Sequence, residues 1–193
     1  MNYLSHILLS GENPMILVGN FMGDGVKGND FENYPGDLKK GILLHRQIDS
    51  FMDSHPLVME GKKRLHPTQH KFAGVVIDVF YDYFLAKHWK KYTTHEFEPF
   101  ISNSYLMLEQ HVELMPEISQ FILGRMASSN WLIQYKEVQG IDRALTGLSG
   151  RTKYPNNMAN AAVHLVEFEK EFDQEFLAFF PEMINHCKKF LES

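Results

Sequence analysis

The chain is 193 residues long, 44% hydrophobic and 22% charged, with 19 basic against 24 acidic residues and a formal net charge of −5. That length suits a single domain over residues 1–193 with a substantial core, and the acidic balance argues against a nucleic-acid partner. The single cysteine, Cys187, excludes an intramolecular disulfide and a zinc site built on cysteines. No run of about 18 apolar residues is present for a membrane span, and Met1-Asn2-Tyr3-Leu4-Ser5-His6 lacks the basic start of an export signal, so a cytoplasmic location is expected.

In chain order the pattern is helical nearly throughout. Asn2 is placed to cap a short helix over 3–10 that Gly11 and Pro14 break. An apolar stretch at 15–23 runs into Gly23-Asp24-Gly25, and 25–37, rich in Gly, Asn and Asp, reads as a loop. Leu38, Ile42, Leu44, Ile48, Phe51 and Met52 recur at helical spacing over 38–53, with Pro56 as the stop. A helix over 57–65 ends near Pro67, and a long one over 69–91 offers Phe72, Val75, Val76, Val79, Phe80, Tyr83 and Phe84 to the core. Further helices are predicted over 94–111, 116–127, 128–137, 140–148, 155–171 and 172–191. Alternating, β-branched runs are scarce, so the predicted class is all-α.

Against this helical background the aspartates and histidines of the first half stand out. His45, Asp49 and Asp53 are spaced by four, as are Asp78 and Asp82. On a helix that spacing returns to one face, so each set projects its polar groups together. Two carboxylates a turn apart on an apolar helix repel unless a cation lies between them. One such pair is ordinarily a solvent-facing stripe; two pairs, with His45 a turn before Asp49, point to a divalent-metal site. Gly19-Asn20-Phe21-Met22-Gly23-Asp24-Gly25-Val26-Lys27-Gly28 packs four glycines into ten residues. Such a loop can present backbone N–H groups and Lys27 to a phosphate, although it is no Walker motif. Arg46 either grips a phosphate oxygen or pairs with Asp30, Glu32 or Asp37. His6 alone reads as a hydrogen-bonded core histidine or a residue supporting the ligands, in company with Asp53. No Gly-x-Ser-x-Gly elbow is present for a serine hydrolase.

These same residues carry a family resemblance. Met1-Asn2-Tyr3-Leu4-Ser5-His6, Gly19-Asn20 with Gly23-Asp24 and Val26-Lys27-Gly28, Gly41-Ile42, His45-Arg46-Gln47-Ile48-Asp49 and Asp53-Ser54-His55-Pro56 resemble the bacterial acyl carrier protein phosphodiesterases. Asp78-Val79-Phe80-Tyr81-Asp82-Tyr83-Phe84-Leu85-Ala86 continues the match, and weaker similarity runs through Asn130-Trp131-Leu132, Gly140-Ile141, Arg143-Ala144-Leu145, Leu148-Ser149 and Arg151 to Phe180-Pro181. The resemblance implies an all-helical relative of the HD-type metal phosphohydrolases that prefers Mn²⁺, with Mg²⁺ or Fe²⁺ as alternatives. The chain has no adjacent His-Asp pair.

The implied reaction is hydrolysis of the phosphodiester joining 4′-phosphopantetheine to holo acyl carrier protein, leaving the apo protein. His45, Asp49, Asp78 and Asp82, with Asp24, are the expected ligands of a metal that lowers the pKa of water and polarises the phosphoryl group. Asn20, Lys27 and Arg46 are the expected phosphate contacts, and Asp24 and His55 the expected catalytic acid–base groups. Because the carrier is acidic, as the resemblance implies, the basic run with Lys62, Lys63, Arg64 and Lys71 is the expected docking surface, seconded by Lys87, Lys90 and Lys91. Two other readings predict different outcomes. A metal phosphohydrolase of nucleotides or other small phosphoesters would turn those over, and a non-catalytic carrier-binding helical module would bind tightly without turnover.

Overall fold

Capping begins the first two helices where polar residues predict it. In the computed structural model, which describes all 193 residues, the Asn2 side chain accepts from the Tyr3 N–H and opens α1 (Tyr3–Leu9). Asn13 accepts from Met15 and Ile16, and Pro14 at the first turn starts α2 (Pro14–Phe21). After a 3₁₀ turn at Gly23–Gly25 and another at Asp30–Asn33, α3 runs over Gly36–Ser54. His55 is extended because Pro56 follows, and Pro56 itself opens α4 (Pro56–Gln69). Pro67 does not end α4 as predicted; it is carried in the last turn, and the helix stops at His70, whose φ is +49°.

The long helix predicted over 69–91 is three pieces: a 3₁₀ turn at His70–Phe72, α5 (Ala73–Lys87) and α6 (Trp89–Tyr92). The break at His88 frees its imidazole to meet Asp173. Beyond it lie α7 (Phe97–Glu109), α8 (Glu117–Ser128) and α9 (Val138–Arg151). The helix predicted at 128–137 is a 3₁₀ segment at Trp131–Lys136, entered through left-handed Asn130. α10 (Ala162–Glu167) and α11 (Glu169–Glu192) close the chain. With eleven α-helices and no strand, the all-α expectation holds.

A cluster of 49 buried apolar residues forms the core, centred on α5, which packs against α1, α4, α9 and α11. Phe172, Phe176 and Phe179 of α11 meet Phe80, Tyr81 and Phe84 of α5 in edge, tilted and stacked pairs. One polar group lies deep in this layer. Asp82 is fully buried and accepts from Leu4 N (2.8 Å), Ser5 N (3.1 Å) and the Ser5 hydroxyl, so it satisfies the open first turn of α1 from across the core. Spacing had put Asp82 with the metal ligands. Its carboxyl oxygens are instead occupied by three donors, so the buried polar group is satisfied where it stands.

α2 and α3 cross in backbone contact. A Cβ at Gly19 would overlap the Leu38 carbonyl, and one at Gly41 would overlap the Ile16 carbonyl. Two side-chain-free positions at the crossing bring Asn20 of α2 within reach of His45 of α3.

Candidate metal centre and its pocket

From that crossing the Asn20 carbonyl accepts from His45 Nδ1 at 2.8 Å. The Asn20 side chain fixes a second imidazole: its Oδ1 accepts from His6 Nδ1 at 2.8 Å, while its Nδ2 donates to the His6 carbonyl and to Ser10 Oγ. Both histidines therefore hold their Nδ1 proton inward and turn Nε2 the same way, with the rings stacked at 4.2 Å. Room for the His45 ring exists because residue 23 is glycine; a Cβ there would overlap the imidazole. His6 Nε2 lies 3.3 Å from Asp49 Oδ1 and His45 Nε2 lies 3.2 Å from Asp49 Oδ2. Neither buried Nε2 makes a hydrogen bond, and the donor atoms of His6, His45 and Asp49 all fall within 4.8 Å of one another. Two orphaned imidazole nitrogens and one carboxylate converging on a point form a donor set suited to a divalent cation.

Further charge surrounds these three. Asp24 Oδ1 is 3.3 Å from His45 Nε2, and the Met1 ammonium sits between Asp78 (3.2 Å) and Asp49 (3.7 Å). Burial pulls His45 down, but Asp24 and Asp49 outweigh it and hold the imidazole up at about 9, so a cation bound here would take the place of its Nε2 proton. His6 is pushed down, first by burial and then by the neighbouring His45. Contact with His45 depresses Asp24, and although burial works against it, the two histidines hold Asp49 low as well. These polar groups line a pocket of about 510 Å³. Met52, Val75, Val79, Ile122 and Leu148 add apolar surface to the lining, and the exposed side chains of Arg151 and Asp53 complete it.

The structure gathers Asp24, His45, Asp49 and Asp78 in this pocket and adds His6, which sequence reading had given only a supporting place. The rest take other roles. Asp53 also lines the pocket, but its carboxylate is paired with Lys62 at 2.6 Å and lies outside the three-donor cluster. His55 is buried against Phe51 and Phe179 with Glu182 3.4 Å from its Nε2, and it does not line the pocket. Asn20, expected at a phosphate, has no exposure and serves the histidines. Lys27 donates to the Asp24 carbonyl, and Arg46 donates to the Val26 and Gly28 carbonyls while covering Phe31, so both brace the loop. Three cations of the expected docking run hold carboxylates of their own chain, Lys62 with Asp53, Lys63 with Glu60 and Arg64 bidentate with Glu175, while Lys71 lies over the Tyr154 ring and keeps its charge. Sequence reading missed Tyr3 and Arg151 as pocket residues. Both stand within similar segments, but a lone Tyr or Arg carries no spacing signal.

Comparison with known proteins bears on this geometry. The family model described as acyl carrier protein phosphodiesterase matches residues 1–183. A protein of Photorhabdus laumondii named acyl carrier protein phosphodiesterase is 30% identical over 189 residues, covering 97% of this chain and 96% of the relative. Proteins of the same name from Yersinia pestis (28% identical, 97% and 98% covered) and Escherichia coli (27% identical, 98% of each covered) are similar over the same span. No solved structure matches. The match spans both the α1–α3 segment that builds the His6, His45 and Asp49 centre and the helices that wall its pocket, and on it the chain belongs to the acyl carrier protein phosphodiesterase family.

Proposed function

We propose that this protein hydrolyses the phosphodiester of holo acyl carrier protein, releasing 4′-phosphopantetheine and leaving the apo protein, with Mn²⁺ as its metal. The observation that carries this reading is the pair of orphaned Nε2 atoms facing Asp49 in a pocket with apolar surface in its lining, in a chain of this family. His6, His45 and Asp49 would hold the ion, with Asp24 and Asp78 beside them. Bound there, a divalent ion supplies positive charge at a phosphoryl group and makes water a better nucleophile.

The chain's own residues do the rest. Asn20 keeps both imidazoles in the tautomer that points Nε2 into the pocket. Asp24, most of whose side chain is exposed and whose carboxyl is held ionised by His45, is suited to take a proton from attacking water. Arg151 brings a guanidinium to the pocket lining and would face charge on the non-bridging phosphoryl oxygens. Met52, Val75, Val79, Ile122 and Leu148 offer apolar surface to an extended prosthetic arm. No helix of the chain is long and apolar enough to cross a membrane; the proposed setting is the cytoplasm.

Incubation with holo carrier protein and Mn²⁺, followed by intact-mass measurement of the carrier, tests the reading. Loss of the prosthetic group that stops with a chelator and in Asp49→Ala supports it. Turnover of nucleotides with the carrier left intact would favour a small-molecule phosphohydrolase instead.

A further inference from the structure

A protein substrate must dock beside the pocket that receives its phosphodiester, so where it docks is a question that rests on the proposed function. The run at Lys62, Lys63 and Arg64 has little charge to spare, because each cation already holds a carboxylate of its own chain. The other side of the pocket mouth differs. Arg143, Gly147 and Arg151 follow at four-residue spacing along α9 and share one face. Arg143 and Arg125 of α8 border a groove of about 450 Å³ completed by Ser129, Trp131, Gln134 and Gly147.

All three arginines are exposed and none is in an ion pair, and the contacts of Arg143 and Arg151 are with neutral groups. Arg143 Nε donates to Gln134 Oε1 at 2.9 Å, and Arg151 Nε donates to the Gly147 carbonyl at 3.3 Å. The Arg151 guanidinium lies 5.5 Å from the centre of the Trp131 ring. Trp131 thus joins the two cavities: it lines the groove and carries Arg151, which lines the pocket. Guanidinium groups without a carboxylate are free to take one bidentately from a partner.

We propose that the groove between α8 and α9, with Arg125, Arg143 and Arg151 around Trp131, is the docking surface for the acidic carrier protein. Carboxylates of the carrier pair with Arg125 and Arg143 along the groove while its modified serine reaches the pocket past Arg151. Rim charges of this kind govern encounter and affinity, and their effect is screened by salt.

The test uses the full chain carrying Arg125→Glu with Arg143→Glu, compared with Lys63→Glu and with the unaltered protein. Binding of fluorescently labelled holo carrier is followed by anisotropy. Mn²⁺-dependent hydrolysis is measured on the carrier and on bis(p-nitrophenyl) phosphate, and thermal melts check folding. The double variant is expected to weaken carrier binding and raise KM for the carrier by at least about tenfold, with hydrolysis of the small diester unchanged. Lys63→Glu is expected to change neither. Carrier binding by the double variant within about twofold of the unaltered protein overturns the proposal, as does an equal loss in Lys63→Glu. If the unaltered protein binds the carrier through these arginines but releases no prosthetic group, the docking surface stands and the proposed reaction falls.

Discussion

Among single residues Asn20 has the widest reach, since its backbone carbonyl orients His45 and its side-chain amide orients His6. Residues that hold a metal's ligands in place are typically worth 10–100-fold in affinity. Asn20→Leu, which removes the amide that holds His6 and keeps the carbonyl on His45, should therefore weaken Mn²⁺ binding by roughly that factor, read by competition with a fluorescent chelator; unchanged affinity would sink the orienting role of the side chain. Asp82 gives a second test, through pH. Burial pushes its carboxyl up to about 7 despite the three donors that face it. An aspartate in the unfolded chain titrates near about 3.9, so between about pH 4 and pH 7 the folded protein keeps a proton that the unfolded chain has released. Stability contributed by this group then falls as pH rises through that window, by up to about 4 kcal/mol. Asp82→Asn, neutral throughout, should lack this part of the slope in urea unfolding. A slope shared by both proteins would mean that the donors keep the buried carboxylate charged.

Among elements, the α2–α3 crossing decides the site. Gly19 and Gly41 remove the side chains that would hold the helices apart, and the Asn20–His45 hydrogen bond depends on that closeness. Gly41→Ala places a methyl group against the Ile16 carbonyl, which is backbone and cannot swing aside. The expected cost is about 1–3 kcal/mol, as for other overpacked contacts, and Mn²⁺ affinity should fall with it. Urea unfolding and metal titration on one preparation check both, and a variant that loses stability yet binds Mn²⁺ normally would uncouple the crossing from the centre. Helix α1 shows a similar dependence, because its first turn is completed by Asp82 of α5 and it delivers His6. The helical periods of α3 and α5 and a break after α8 were readable in the sequence, whereas the break at His88 and the 3₁₀ character of Trp131–Lys136 were not. The break at His88 follows from where the chain must turn to pack, and no Pro or Gly marks it.

For the whole molecule, a ligand-held centre joining α1 and α3 should link folding to metal. Mn²⁺ at one hundred times its Kd would stabilise the folded state by about 2.7 kcal/mol. For a chain of this size that corresponds to a rise in Tm of roughly 5–10 °C. Differential scanning calorimetry with and without chelator measures it, and Asp49→Ala should abolish the rise; a shift that survives in the variant would place the ion elsewhere. The all-helical class, the pairing of His45 with Asp49 and the family were all legible from residue order, because periodicity and short motifs are local properties. Local spacing cannot say which of two carboxylates on α5 reaches solvent. Only the packing of α1 over α5 turned Asp82 into a buried helix cap and left Asp78 in the pocket. The same packing brought His6 across to His45 and turned Asn20 inward, and the folding of α8 and α9 around Trp131 left three arginines without acidic partners. Those outcomes depend on contacts between segments far apart in the chain, where the cost of burying an unpaired charge selects the partner and residue spacing has no say.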